Sequence, residues 1–281
     1  SMSKLTIGLC VYDDFDGAYF TLQSLRMHHS EILDRLEFII INNNPRSKQG
    51  KALYDFKGWI KEPLTYVEFD AFSSTALRDK IFTLASTEYV LIMDCHVLIE
   101  SGAIQKLLNF YDKGLDKGNL LQGPLLYDDL KSVSTHFNLD KWGANMWGSW
   151  DLDSRGEDKH GKPFEIPAQG LGLYTCRKDS WLGFNPKFRG FGGEEGYIHT
   201  KYKNHGKKTL CLPFLRWLHR FQRPNGVPFT VDLRDRFRNY MIGFREIGKD
   251  TNEIIEQFKD KIPSQYIEKV KIELGLESDV S

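Results

Sequence analysis

Glu88-Tyr89-Val90-Leu91-Ile92-Met93-Asp94-Cys95-His96 decides how this chain is built. Its apolar run is the length of one buried strand and stops at an acid, which puts polar residues at the strand's carboxyl end. Upstream, residues 64–69 read as another strand and 73–85 as a helix capped by Ser73 or Ser74. Residues 36–41 are a near-continuously apolar strand that stops at the turn Asn42-Asn43-Asn44-Pro45. Residues 17–28 carry Phe20, Leu22, Leu25 and Met27 on roughly one helical face, and 4–11 form a short strand. Strands alternating with helices predict parallel pairing in an α/β sandwich, with ligands off the carboxyl ends of the strands. Downstream the pattern is less regular. Residues 142–162 read as a long loop or lid, 166–176 as an apolar run broken by Gly170 and Gly172, and 187–196 as a Gly-rich acidic turn opening a helix to about Lys203. Helical patterns follow over 232–247, 252–261 and 264–274, predicting a body over residues 1–223 and a small helical appendage over 224–281.

The 281 residues balance 38 Lys plus Arg against 38 Asp plus Glu, and 41% are hydrophobic. That apolar fraction builds a core and excludes an intrinsically disordered chain. Zero formal charge argues against holding nucleic acid by bulk electrostatics. No apolar stretch approaches the ~18 residues of a membrane span. The four cysteines, Cys10, Cys95, Cys176 and Cys211, form no C-x-x-C pair and read as reduced thiols. With no secretory h-region at the N-terminus, the expected setting is the cytoplasm.

Three groups of residues could carry chemistry. Asp94 and His96, spaced by one residue at a strand end, can face one metal if the chain bends there, and oxygen plus nitrogen ligation suits Mn²⁺. A lone Asp after a strand also serves as a turn residue. In Gly190-Phe191-Gly192-Gly193-Glu194-Glu195, glycines allow close backbone approach, and adjacent carboxylates supply an acceptor and a base. The bland alternative is a solvated turn whose acids complement a helix dipole. His219, at the end of Arg216-Trp217-Leu218-His219, sits like His96 at the end of an apolar run, where one histidine beside aromatics is usually a packed core residue. Trp142, Trp147 and Trp150 either stack on an apolar ligand face as a lid or pin their loop to the body.

In this order and spacing the pieces resemble a nucleotide-sugar glycosyltransferase of the GT-A fold, a Rossmann-like mixed sheet flanked by helices. Asp94-Cys95-His96 is similar to the Asp-x-His triplet of the polypeptide N-acetylgalactosaminyltransferases. The stretch from Gln169-Gly170-Leu171-Gly172-Leu173 through Arg177 to Gly192-Gly193-Glu194 resembles their Gly-Gly-Leu to Gly-Gly-Glu segment, and His219 falls where they have a third metal ligand. Gly190-Phe191-Gly192-Gly193-Glu194-Glu195 is also similar to the Gly-Trp-Gly-Gly-Glu-Asp motif of the β-1,4-galactosyltransferases, whose last acid is the base of an inverting reaction. The retaining N-acetylgalactosaminyltransferases have a neutral Asn there, and Glu195 departs from that pattern. The N-terminal half looks like the large family 2 of inverting transferases, with Asn42 and Asn43 where an Asp commonly binds uracil.

The resemblance implies a nucleotide-sugar donor, expected to be a UDP-sugar, and Mn²⁺ (or Mg²⁺) held by Asp94, His96 and His219. It puts donor contacts at Val11, Tyr12, Asp13, Asn42, Asn43, Arg78 and Asp94. Glu195 is then the base that activates an acceptor hydroxyl, with Glu194 orienting hydroxyls. A retaining N-acetylgalactosaminyltransferase-like reaction is the alternative. Acceptors include a glycan, a protein side chain, a lipid-linked sugar or a modified DNA base. Two rivals from other classes are a nucleotidyltransferase and an inactive sugar-binding or scaffold protein. The first favours a Gly-rich, Lys-containing phosphate loop, and residues 10–15 contain neither Gly nor Lys. The intact acid and histidine set speaks against the second.

Overall fold

The computed structural model describes residues 2–229 and 231–276. Along its first part β1 (Leu5–Val11), α1 (Phe15–His28), β2 (Leu36–Asn42), α2 (Lys48–Lys57), β3 (Leu64–Glu68), α3 (Arg78–Leu84) and β4 (Tyr89–Met93) alternate. β1 pairs in parallel with β2 and β4, and β2 with β3. Successive side chains of a strand point to opposite faces. Accordingly, Phe38, Ile40, Leu91 and Met93 enter a core shared with α1, α2 and the helix after β4. Ile39, Ile41, Val90 and Ile92 enter a second core on the other face. Burial on both faces is why these strands read as unbroken apolar runs.

The chain continues through β5 (Val97–Ile99), α4 (Ala103–Asp112), β6 (Leu120–Gln122), β7 (Leu125–Leu126), β8 (Val133–Ser134), β9 (His136–Gly143) and β10 (Met146–Asp151). Then come β11 (Phe164–Glu165), β12 (Leu173–Arg177), α5 (Glu195–Asn204), β13 (Thr209–Cys211) and β14 (Trp217–His219). α6 (Leu233–Ile247), α7 (Asn252–Phe258) and α8 (Ser264–Glu273) follow. The main sheet runs β11-β13-β6-β12-β4-β1-β2-β3, with β12 antiparallel to β4, so the sheet is mixed. A smaller sheet runs β5-β14-β7-β8. Phe237, Tyr240, Phe244, Phe258 and Ile267 pack α6, α7 and α8 into the second core, so these helices complete that face of the sheet. No helix among the described residues is long and apolar enough to cross a membrane.

One expectation is corrected. Residues 142–162 do not form a loose lid, because β9 and β10 make an antiparallel ribbon across much of this stretch. Its alternation is masked in sequence by a register shift between Trp147 and Ser149. The tryptophans pin it: Trp142 Nε1 donates to Glu253 (2.8 Å), Trp147 Nε1 to Leu139 O (2.8 Å), and Trp150 sits edge-on to Phe137. Helices α2 and α4 and the short strands from β5 to β8 lie outside the elements expected from sequence, although Ile104, Leu107, Leu108 and Tyr111 of α4 recur at helical spacing.

Candidate active site

Four loops converge on one cleft of about 310 Å³ beside the carboxyl ends of β1 and β4. At the end of β4 the chain bends. Asp94 N–H donates to Gly172 O (2.9 Å), and His96 takes a left-handed conformation, with φ of 53°. Pairing of β14 with β5 then sets His219 opposite Val97, next in sequence to His96. Gly172 makes room for this, since a Cβ there would lie 3.1 Å from the His219 ring. His219 Nε2 ends 3.5 Å from Asp94 Oδ2. The Gly-rich loop comes in from the other side: Thr75 N–H donates to Gly190 O (2.9 Å), Gly190 N–H to Ser73 O (2.8 Å), and Ser74 Oγ to Phe188 O (2.7 Å). Glu194 and Glu195 follow, at the mouth of α5.

Arg78, at the start of α3, joins the two ends of the cleft. Its guanidinium lies 3.2 Å from Glu194 Oε1, 3.7 Å from Asp94 Oδ1 and 3.1 Å from Thr75 Oγ1. Burial opposes its charge, but Glu194 together with Tyr174, Asp94 and Cys10 outweighs burial and raises the Arg78 pKa, so it stays cationic. Burial would also raise Asp94, yet the His219 hydrogen bond and the Arg78 charge hold it below its ordinary value. Glu195 goes the other way: burial first, then the neighbouring Glu194 carboxylate, push it well above the usual carboxyl range. Burial lifts the Cys10 thiol to about 12, which rules out a thiolate in the cleft at neutral pH.

Of the residues expected from sequence, Tyr12, Arg78, Asp94, His96, Glu194, Glu195 and His219 line this cleft. The three expected ligands do not form a ready cation shell. Among the described residues no group of three or more His, Cys, Asp or Glu comes together for a metal. Asp94 meets His219, whereas His96 Nε2 is turned to Asp14 Oδ2 (3.0 Å) and touches the Arg223 guanidinium. Asn42 and Asn43, expected at a uracil edge, have their amide donors engaged within the protein. Asn42 Nδ2 donates to Gly50 O (3.0 Å) and Tyr66 Oη (2.9 Å), and Asn43 Nδ2 to Phe69 O (2.8 Å) and Phe72 O (3.0 Å). Their amide donors are spent on shaping the loops after β2 and β3. Val11 is a buried strand residue whose carbonyl accepts from Asn43 N–H (2.8 Å), and Asp13 accepts from Ser47 Oγ, so neither lines the cleft.

The structure adds residues that sequence reasoning missed. Asp14 caps α1 through Gly17 N–H (3.1 Å) as well as meeting His96; an Asp just before a helix is the signal that could have found it. Phe191, Phe221, Val227 and Phe229 line an apolar wall of the cleft, with Phe191 and Phe229 rings 4.4 Å apart. No local pattern separates these phenylalanines from the other sixteen of the chain's 19.

Comparison with family models and with curated protein sequences gives no match. Among solved structures, the chain resembles GalNAc-T7 crystallised with UDP, GalNAc and Mn²⁺, with a TM-score of 0.69 and 14% identity over 99% of this chain and 55% of that one. The chain therefore spans about half the length of that neighbour. It also resembles residues 1–349 of S. aureus TarS in complex with UDP-GlcNAc, with a TM-score of 0.57 and 11% identity over 97% of this chain and 80% of that one. Both neighbours have the GT-A fold, and so does this chain.

Proposed function

We propose that this chain is a glycosyltransferase that moves a sugar from a UDP-linked donor to an acceptor hydroxyl, inverting the anomeric carbon, with Glu195 as base. The observation that carries the proposal is Glu194. One of its oxygens is bound by Arg78, while Oε2 is buried in the cleft wall with no partner in the protein. An unsatisfied buried acceptor costs about 1–3 kcal/mol, and a sugar hydroxyl donating to it removes that cost. Glu195 stands next to it. As the acceptor oxygen bonds to the anomeric carbon, Glu195 takes the hydroxyl proton, and the bond to the diphosphate breaks with its electron pair leaving on the nucleotide. A carboxylate with raised proton affinity is suited to this work near neutral pH.

One carboxylate oxygen and one imidazole nitrogen at Asp94 and His219 fit Mn²⁺ (or Mg²⁺) in chemistry and mutual distance. His96 joins them only once its Nε2 leaves Asp14 and Arg223. When bound, the ion offsets negative charge on the leaving diphosphate. Arg220 and Arg223, both lining the cleft, are the protein's own cations for the same oxygens. Uridine is the expected base because GalNAc-T7 was crystallised with UDP and TarS with UDP-GlcNAc. The acceptor is a glycan, a protein hydroxyl or a modified DNA base. Four unpaired thiols suit a cytoplasmic setting.

A screen of UDP-, GDP- and other nucleotide-sugars, with Mn²⁺ or EDTA and with Asp94→Ala beside the wild type, tests the proposal. Cation-dependent release of one nucleoside diphosphate, lost in the variant, is the expected result. The absence of both binding and turnover with every donor would overturn it.

A further inference from the structure

The Gly-rich loop leans on α6 as closely as on α3. Asn239 is fully buried, and all three of its hydrogen bonds go to the loop: Oδ1 accepts from Arg189 N–H (3.0 Å), and Nδ2 donates to Arg189 O (2.9 Å) and Gly192 O (2.9 Å). Gly190, Gly192 and Gly193 take φ of 65°, 96° and 88°. A Cβ on them would meet Asp235 Oδ2 at 2.5 Å, Arg236 Nε at 2.9 Å and Asn239 Cβ at 3.1 Å, so nothing separates loop from helix. One turn on, Tyr240 Oη accepts from Trp147 N–H (2.7 Å), and the Trp147 ring packs against Gly196 in the first turn of α5. The helix that begins with Glu195 is thereby braced from the same side.

We infer that Asn239 and Arg236 are positioning residues of the catalytic site: α6 holds the Gly-rich loop so that Glu194 and Glu195 face the cleft, and Arg236 supplies positive charge behind it. The inference rests on reading Glu195 as the base. Among neutral side chains an amide offers the two N–H donors and the acceptor oxygen that these three bonds use. Alanine there leaves three backbone groups unpaired, and Asn239→Asp sets a carboxylate against two carbonyls. The charged and titratable groups around Glu195 are Glu194 from its own loop, Arg78 from α3, and Arg236 and Tyr240 from α6, while His199 bonds its carbonyl. Arg236 Nε is buried with no hydrogen-bond partner, which leaves its charge free to act on this group.

The test uses the full chain with Asn239→Ala, Arg236→Gln and Arg236→Lys, read by donor hydrolysis or transfer and by amide hydrogen exchange. Asn239→Ala is expected to lower kcat about 10- to 100-fold, as loss of a supporting hydrogen-bond partner does, with donor KM held within about threefold. Exchange at residues 189–195 should speed up while β1 and β4 stay protected. Arg236→Gln should move the acid limb of the pH–rate profile up, with Arg236→Lys restoring it. Unchanged kcat and unchanged loop exchange in Asn239→Ala would overturn the inference. If that variant does not fold, an unshifted pH limb in Arg236→Gln overturns it instead. Should the wild type turn over no donor, the glycosyltransferase reading fails and the catalytic role with it, while loop exchange still reports whether α6 holds the loop.

Discussion

Asp94, His96 and His219 stand at one end of the cleft on strand termini, tied together by charge, whereas Glu194 and Glu195 stand at the other on a loop tied down by backbone hydrogen bonds. At the first end, Asp94 is shared between Arg78 and His219, and His96 between Asp14 and Arg223. At the second, Ser73, Ser74 and Thr75 hold one side of the loop and Asn239 the other. Neutral backbone bonds in a packed core keep their geometry whatever enters the cleft. Charge pairs exchange partners when a cation or diphosphate arrives. Under the proposed function the carboxylate end is preorganised and the histidine end is the one that would rearrange.

Three changes sharpen or break this contrast. Glu195→Gln should cost about 10²- to 10⁴-fold in kcat, the worth of a general base, with donor affinity measured by calorimetry unchanged because the histidine end is untouched. Near-normal turnover would remove the inverting assignment. Arg78→Met acts on both ends at once. Asp94 and the nearly buried Glu194 lose their shared cation, and stability in urea should fall by about 3–5 kcal/mol, as when one partner of a buried ion pair is removed. A fall well below that would mean that the two ends do not depend on one another.

The smallest effect is one of pH and concerns the back of the carboxylate end. His199 Nδ1 lies 2.5 Å from Glu195 O and Nε2 lies 2.7 Å from Gln122 Oε1, two acceptors of which a neutral ring donates to one, and burial drops its pKa from 6.5 to about 4. The unfolded chain takes up this proton first, so the His199 contribution to stability is complete above pH 6.5 and is lost as pH falls toward about 4. Glu195 has the opposite sign. Its raised folded value means that its contribution is complete below the ordinary carboxyl range and lost as pH rises through the folded one. In His199→Gln, the pH dependence of stability between about pH 7 and 4 should flatten. An unchanged slope would mean that His199 is not held neutral.

Legibility in the sequence followed the range of the interaction. Tyr89–Met93 and residues 36–41 were readable because burial on both faces leaves an unbroken apolar run. The ribbon of β9 and β10 was not, because its register shift breaks the two-residue alternation on which the reading depends. Asn42 and Asn43 were visible as a turn, but where their amides donate depends on Tyr66, Phe69 and Phe72 closing over them.

By itself the sequence determined the alternating strands and helices from β1 to β4, the acid and histidine at the end of β4, and the glycines beside two carboxylates. Each is a local pattern of burial, turn chemistry or backbone freedom within a few residues. Only the tertiary structure decided that His219 meets Asp94 while His96 turns to Asp14 and Arg223, and that α6 closes over the Gly-rich loop. Those outcomes depend on strand register and helix docking across more than a hundred residues in the first case and some fifty in the second. The partner of a polar side chain is chosen when distant segments pack, and no local periodicity encodes that choice.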